Sequence, residues 1–382
     1  MVLPSEGPLA GLLRSVNARV IIEPSLSVIR RQTLTPKRFL PFVCSVPVSA
    51  IKVAQLIRRE RIAVVHSNVS TILSGALAAK LCGVPHVWHV REAFAHFSVV
   101  GKWYGRLVLW SGSHLLCISN SVKEQFGEDV RRNGKKADVL HDGLDLDQFD
   151  RPLLGREAVR QRYGIGTREH LVACVGRIGR GKGQQCLLRA YALARAKIGP
   201  SKLFIVGDAF PGNESVLQSL LDLVGELDLR GEVIFTGFVE DVASVLGAAD
   251  TFVMPSTVPE GYGMVLLEAM AAGVPLITTN AGGPLDIIGD SECGLFVPPG
   301  DEQALAAAIC RLAADEEMRA RFRRAGRTRV ETISSPRIVA ERVQAVYRGL
   351  LRSGKSPHGQ LAEAAYSGKE TEGGVPSGDN PT

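Results

Sequence analysis

The chain predicts an α/β protein built as two doubly wound parallel-sheet domains facing a cleft. Three observations carry this. At 382 residues it is long for one domain. Short apolar runs alternate with longer amphipathic ones from end to end, the pattern of strand–helix units with helices on both faces of a parallel sheet. The alternation breaks once, over the Arg-, Gly- and Pro-rich stretch Asp150–His170, read here as the connection between domains.

In the first half, Ala18–Glu23, Ile62–His66, His86–Val90 and Leu115–Ile118 are short, apolar and bounded by turn residues, as buried strands are. Helical spacing lies between them at Ser49–Arg59 and Ser70–Leu81, the latter stopped by Gly83 before Pro85. The second half repeats the scheme. Its strands are Leu171–Val175, Lys202–Val206, Glu232–Thr236, Thr251–Met254 and Pro275–Thr278. Its helices are Gln184–Lys197, Glu214–Glu226, Tyr262–Ala272 and Glu302–Ala314. From Ser353 the composition turns Gly-, Ser-, Pro- and Glu-rich, the signature of a disordered tail over 353–382.

Composition excludes several classes. Hydrophobic residues make up 45% of the chain, which supports real cores. No run reaches the roughly 18 apolar residues of a membrane span; Phe39–Ile51 comes nearest, interrupted by Pro41 and Pro47 and ended by Lys52. Met1–Arg14 lacks the basic start and apolar core of a secretory signal. Seven scattered cysteines, none spaced as C-x-x-C, suggest neither a disulfide framework nor a zinc site and fit a reducing cytoplasm. The net charge of +6 arises in the first 150 residues, where 19 Lys and Arg against 12 Asp and Glu give a surplus of 7, while the remainder carries 26 against 27. The basic clusters Arg30-Arg31, Lys37-Arg38, Arg58-Arg59-Glu60-Arg61 and Arg131–Lys136 lack interleaved aromatics, so a nucleic-acid stacking platform is not expected. A basic rim beside an apolar run fits peripheral contact with an anionic membrane instead.

Two motifs carry chemistry. Val175-Gly176-Arg177-Ile178-Gly179-Arg180-Gly181-Lys182-Gly183 follows a strand and opens a helix, where glycines admit a ligand close to the backbone and the helix N-terminus favours an anion. Arg177 offers a planar fork and Lys182 a point charge for phosphate oxygens. The ending of a Walker P-loop is absent. Glu260-Gly261-Tyr262-Gly263-Met264-Val265-Leu266-Leu267-Glu268 forms a second turn, rich in Pro and Gly, that enters a helix near Tyr262. Its free amides face any anion in the cleft. Glu260 stands on the lip of that turn, and Glu268 lies about two turns into an apolar helix, where a carboxylate needs a hydrogen-bonding partner.

These residues resemble the retaining family 4 glycosyltransferases of GT-B fold, with two Rossmann-like domains. The similarity covers nearly all of 1–350 and is densest over VGRIGRGKG, LFIVGDAF, VIFTGFVEDV and MPSTVPEGYGMVLLEAMAAGVPLITTNAGGPLDII. The resemblance implies an acceptor-side domain over 1–150 and a nucleotide-sugar-binding domain over 151–334. A C-terminal helix over 335–352 would cross back to the first domain. Arg177 and Lys182 would hold the donor diphosphate, with Gly176 and Gly207 at the neighbouring strand ends. Glu260 would contact the donor sugar and Glu268 the ribose. The backbone at Gly263–Met264 would cap a phosphate, with Gly261 and Tyr262 beside it in the donor-binding set, while the stretch near Phe238 and Val239 would lie along the base. Catalysis would need neither cofactor nor metal, since cationic side chains and the helix dipole neutralise the leaving diphosphate; no Asp-x-Asp motif is present.

In the first domain, His89 and Arg91 lie two apart at a strand end, on one face of an extended segment, and either could touch the sugar or the acceptor. His141-Asp142-Gly143-Leu144-Asp145 resembles the family's N-G-[VI]-D turn and reads as hinge geometry, with Asp145 capping. The opening MVLPSEGPLAGLLRS resembles the family's second strand, so the first strand and its Gly-Gly loop are missing from the pattern. The expected activity is transfer of a sugar from a nucleotide diphosphate sugar to a sugar or lipid-linked acceptor with retention. It would serve surface polysaccharide, lipopolysaccharide or glycolipid assembly at the cytoplasmic side of a membrane. A catalytically impaired binding homologue and a nucleotide-sugar epimerase are the alternatives.

Overall fold

The computed structural model describes residues 1–29, 36–93, 98–132, 134 and 136–353. The basic pair Arg30-Arg31, part of the 131–136 cluster and the tail beyond Ser353 lie outside the described residues. The chain forms two compact units. One holds Met1–Cys117, Lys123–Val139 and the described residues from Glu341 on; the other holds Ile118–Val122 and Leu140–Ala340.

The first unit begins with β1 (Val2–Leu3), α1 (Pro8–Ser15) and β2 (Ile21–Ile22), whose strands pair in parallel apart from the main sheet. There follow α2 (Pro36–Arg59), β3 (Val65–Ser67), α3 (Leu73–Cys82), β4 (His86–Val90), α4 (Ser98–Ser111), β5 (His114–Cys117), α5 (Asn120–Glu124), whose residues up to Val122 count with the second unit, α6 (Gly127–Arg132) and β6 (Lys136–Val139). β3, β4, β5 and β6 make a parallel sheet in that order. All five residues of β4 are buried, as expected where helices cover both faces. The indole of Trp88 donates to Ser111 Oγ (3.1 Å), so its one polar atom is satisfied inside the core.

Helix α2 starts at Pro36, well before the Ser49 expected from periodicity, and runs through Pro41 and Pro47. Val46, Ala50, Val53, Ala54 and Ile57 form a buried stripe, and the last three pack with Ala78, Ala79 and Val84. This tertiary packing outweighs the ladder hydrogen bonds the prolines remove. By length and composition alone, Leu40–Arg59 is a helix able to cross a bilayer. Its outer face leaves Leu40, Val43, Val48 and Ile51 exposed.

The second unit contains α7 (Asp147–Asp150), α8 (Arg156–Arg162), β7 (His170–Val175), α9 (Gln184–Ile198), β8 (Ser201–Val206), α10 (Glu214–Glu226), β9 (Val233–Gly237), α11 (Val242–Ala248), β10 (Thr251–Met254) and α12 (Met264–Ala271). It continues with β11 (Leu276–Thr279), α13 (Pro284–Ile288), β12 (Gly294–Val297), α14 (Glu302–Ala314), α15 (Glu316–Ile333) and the start of α16 (Pro336–Arg352). Aspartates cap three helices: Asp241 accepts from Ser244 N, Asp301 from Ala304 N and Asp315 from Met318 N. The parallel sheet runs β12-β11-β10-β7-β8-β9, so the winding reverses between β7 and β10. That switch point is where open α/β sheets hold their ligands.

Asp150–His170 is not a linker. It carries α8, whose Arg160 is buried and donates to the carbonyls of Ala248 and Gly166 and to Asp250 Oδ2. Arg156 adds bonds to the Ala248 and Ala249 carbonyls. These forks bind the stretch into the second unit, so the change of unit falls at Val139/Leu140 rather than at 150. At the other end, α16 enters the first unit from Glu341, where the Tyr347 hydroxyl meets His66 Nδ1 at 2.6 Å.

Candidate active site

Both sequence motifs emerge at the switch point, one after β7 and one after β10. The first loop leaves β7 at Gly176, whose amide donates to Val206 O (2.9 Å); Ile178 N continues the pairing to Asp208 O, and the buried Ile178 side chain anchors the loop. Arg177 is thereby turned outward and exposed, with its guanidinium carbon 5.5 Å from the centre of the Phe210 ring. Gly207 follows β8, and its amide donates to Gly237 O (2.9 Å) at the end of β9; Phe238, 76% exposed, and Val239 come next.

The loop then returns towards α9 through Gly183. There φ is +74° and a Cβ would lie 1.8 Å from Pro255 O, so no other residue fits without displacing the second loop. The two loops are also joined by Thr257 N donating to Gly181 O (2.9 Å). This close approach brings Lys182 Nζ within 2.7 Å of Glu260 Oε1. Ser256 Oγ donates to the same oxygen. Glu260 is mostly buried and Lys182 more open, with side-chain exposures of 16% and 37%.

From the other side, Gly283 N donates to Glu260 O (2.9 Å), and a Cβ on Gly283 would fall 2.3 Å from Tyr262 Cα. Helix α12 begins at Met264, after Gly263 in the left-handed region (φ +104°), and no side chain caps it. Its first-turn amides therefore offer positive potential to an anion lying over Gly261–Met264. Tyr262 is not part of that open surface. Its ring is buried and stacks on His141 (centroids 5.0 Å, interplanar 18°). Glu268 lies half-buried on α12, and no hydrogen bond or ion pair reaches its carboxylate among the described residues. Burial pushes its pKa up.

His89 and Arg91 belong to the first unit. His89 is buried within β4, its ring 5.8 Å from that of His66. Arg91 lies just past the strand, where its Nε donates to Asn68 Oδ1 (3.4 Å) and its amide to Glu92 Oε2 (3.2 Å). Glu92 also accepts from Ser70 Oγ (2.6 Å), which fixes the segment after the strand. His66 is held neutral, with its pKa pushed down to about 4, first by burial and then by the Arg91 charge.

Ser256, Phe210, His141 and Asp286 were not assigned a site role from the sequence. Ser256 and Asp286 both fall inside the long motif, but nothing local marks their partners. Asp145 does not cap α7: Leu146 is the N-cap and no side chain caps that helix, while Asp145 accepts from Asp147 N (3.2 Å) in a local turn just before it.

Comparison with known proteins agrees with this architecture. Residues 14–148 match the family described as Glycosyltransferase Family 4, and residues 155–329 match Glycosyl transferases group 1. A UDP-Gal:alpha-D-GlcNAc-diphosphoundecaprenol alpha-1,3-galactosyltransferase of Escherichia coli is 27% identical over 279 residues, 70% of each chain. The capsular polysaccharide biosynthesis glycosyltransferase CapM of Staphylococcus aureus is 28% identical over 80% of this chain and 81% of its own length. The crystal structure of Anabaena HepE in complex with UDP and glucose overlays with a TM-score of 0.73 at 21% identity, covering 90% of both chains. With strand order, loop geometry and both halves of the sequence in agreement, the chain belongs to the family 4-like glycosyltransferases of GT-B fold.

Proposed function

We propose that the protein transfers a sugar from a nucleoside diphosphate donor to a sugar or lipid-linked acceptor, with retention of configuration. The observation that carries this reading is the 2.7 Å contact of Lys182 with Glu260 at the switch point, beside the uncapped start of α12. A departing diphosphate gains negative charge as the glycosidic bond breaks. Lys182, the exposed Arg177 and the α12 amides supply positive potential there, so transfer needs no metal. Glu268 offers two acceptor oxygens to ribose hydroxyls, which would relieve its uncompensated burial. Glu260, engaged by Lys182 and Ser256, is a weak nucleophile. That engagement supports sugar departure and acceptor attack on the same face over a covalent intermediate.

The Escherichia coli relative acts on a diphosphoundecaprenol-linked sugar and the Staphylococcus aureus relative serves capsule synthesis. Both support a role in surface polysaccharide or glycolipid assembly. The exposed Leu40, Val43, Val48 and Ile51 of α2, close in sequence to the exposed Lys37 and Lys52, support contact with the cytoplasmic face of a membrane. The test is a screen of UDP- and GDP-sugars against lipid-linked and free acceptors, read by mass spectrometry with and without EDTA. Transfer with retention in EDTA is expected. Activity lost in EDTA and restored by Mg²⁺ would overturn the metal-free step, and no stabilisation by any nucleoside diphosphate would remove the donor site.

A further inference from the structure

The second unit holds a polar chain that the donor contacts do not use. Asp286, in the first turn of α13, accepts from the backbone amide of Asn120 (2.6 Å) and from its side-chain nitrogen (3.2 Å). It also faces His141 Nε2 at 3.2 Å. Burial alone would raise the Asp286 pKa, but the hydrogen bonds from His141 and Asn120 outweigh it and hold the group below its ordinary value. The carboxylate is therefore charged, so His141 Nε2 is the donor. Asp286 is itself fixed, since Arg329 donates to the carbonyls of Asp286 and Ile287 and ties α13 to α15.

His141 in turn backs Tyr262. The Tyr262 hydroxyl is buried with no hydrogen-bond partner among the described residues, where ring stacking and packing hold this side chain. A buried tyrosine hydroxyl ordinarily finds a partner. Three residues before Asp286, Gly283 lies against the Tyr262 backbone and binds the carbonyl of Glu260. Helix α13 thus grips residues 260–262 twice, at the backbone through Gly283 and at the side chain through His141.

We propose that Asp286 is a positioning residue for the donor loop, acting through His141 and Tyr262 to set the backbone of Gly261–Met264. The proposal rests on the donor-site reading above for its consequence, though not for the wiring itself. It accounts for a charged carboxylate that touches no part of the predicted donor site, and for a buried tyrosine placed between Gly261 and Gly263.

The test uses the full chain and two measurements: hydrogen exchange of peptides covering Gly261–Leu266 without ligand, and calorimetric binding of UDP and GDP. Asp286→Ala should speed exchange across Gly261–Leu266 about tenfold and leave β7, β8 and β9 protected. His141→Ala, which removes the stack directly, should do the same. Asp286→Asn keeps an oxygen that accepts from His141 and should stay close to wild type. His141→Phe keeps the ring but not the hydrogen bond; in that background Asp286→Ala should add nothing. Nucleotide affinity should fall about tenfold wherever exchange rises.

An equal Asp286→Ala effect in both backgrounds would show that Asp286 acts through Asn120, and would overturn the proposal. So would unchanged loop exchange, or faster exchange spread over the whole sheet. If wild type binds neither UDP nor GDP, the donor reading fails while the exchange arm still decides the wiring.

Discussion

Glu268 is where the proposed donor contact and a purely structural role make opposite predictions. Its carboxylate is half-buried in an apolar helix without a partner among the described residues, and its pKa is raised by that burial. A group with a raised folded pKa weakens the fold as pH climbs through that value, because the charged form must be buried. Glu268→Gln removes the charge but keeps the shape. The variant should melt at or above the wild-type temperature at pH 7.5, while affinity for UDP or GDP falls by about 1.5–3 kcal/mol, the worth of hydrogen bonds to a charged group. A variant less stable and equally tight would place Glu268 in the scaffold instead. Lys182 makes the opposite case. Lys182→Ala leaves Glu260 with Ser256 as its remaining side-chain partner, and turnover should fall by about 10²–10³ if the ammonium stabilises the leaving diphosphate. Circular dichroism should not change; a variant keeping most of its turnover would put the diphosphate elsewhere.

At the scale of elements, two loops work because glycine lets them touch. The Cβ of Gly183→Ala would enter the space of Pro255 O, and φ there is +74°, so the loop after β7 must retreat from the loop after β10. We expect a loss of more than about 2 kcal/mol in denaturant unfolding, together with a weaker Lys182–Glu260 contact and lower turnover. Stability within about 0.5 kcal/mol of wild type would show that the loops tolerate separation. The sequence displayed this part of the molecule well, because strand, glycine turn and helix start are written within a dozen residues. Glu214–Glu226 and Thr251–Met254 could be placed to the residue for the same reason. What it hid is non-local. The prolines of α2 argued against a helix start at Pro36, and only packing of Val53, Ala54 and Ile57 on α3 explains it. The pairing of His141 with Asp286 spans 145 residues, and no local pattern announces it. The buried forks of Arg156 and Arg160 turned an apparent linker into part of the second unit.

For the whole molecule, the two units differ in how acid should affect them. The first unit carries His66 and His86 in or beside its central strands, with pKa values pushed down to about 4 and about 3. Burial is the main cause in both. The Arg91 charge adds to it at His66, and the His66 charge at His86. In the unfolded chain both would titrate near 6.5. Below that pH the unfolded state binds protons that the folded state refuses, so stability present at neutral pH is lost as pH falls from about 6.5 towards 4. For His66 alone the loss on going from pH 7 to pH 5 is about 2 kcal/mol. The Tyr347 hydroxyl bonded to His66 Nδ1 links this titration to the returning helix α16. Acid should therefore loosen the first unit and the end of α16 together, before the six-stranded sheet of the second. The measurement is hydrogen exchange and urea unfolding at pH 7 and pH 5, for wild type and His66→Gln. The variant should lose about 2 kcal/mol less than wild type between the two pH values, whatever its stability at pH 7. An identical drop in both would mean that His66 is not the group that acid must charge, and the contact between α16 and β3 would then have no part in the response.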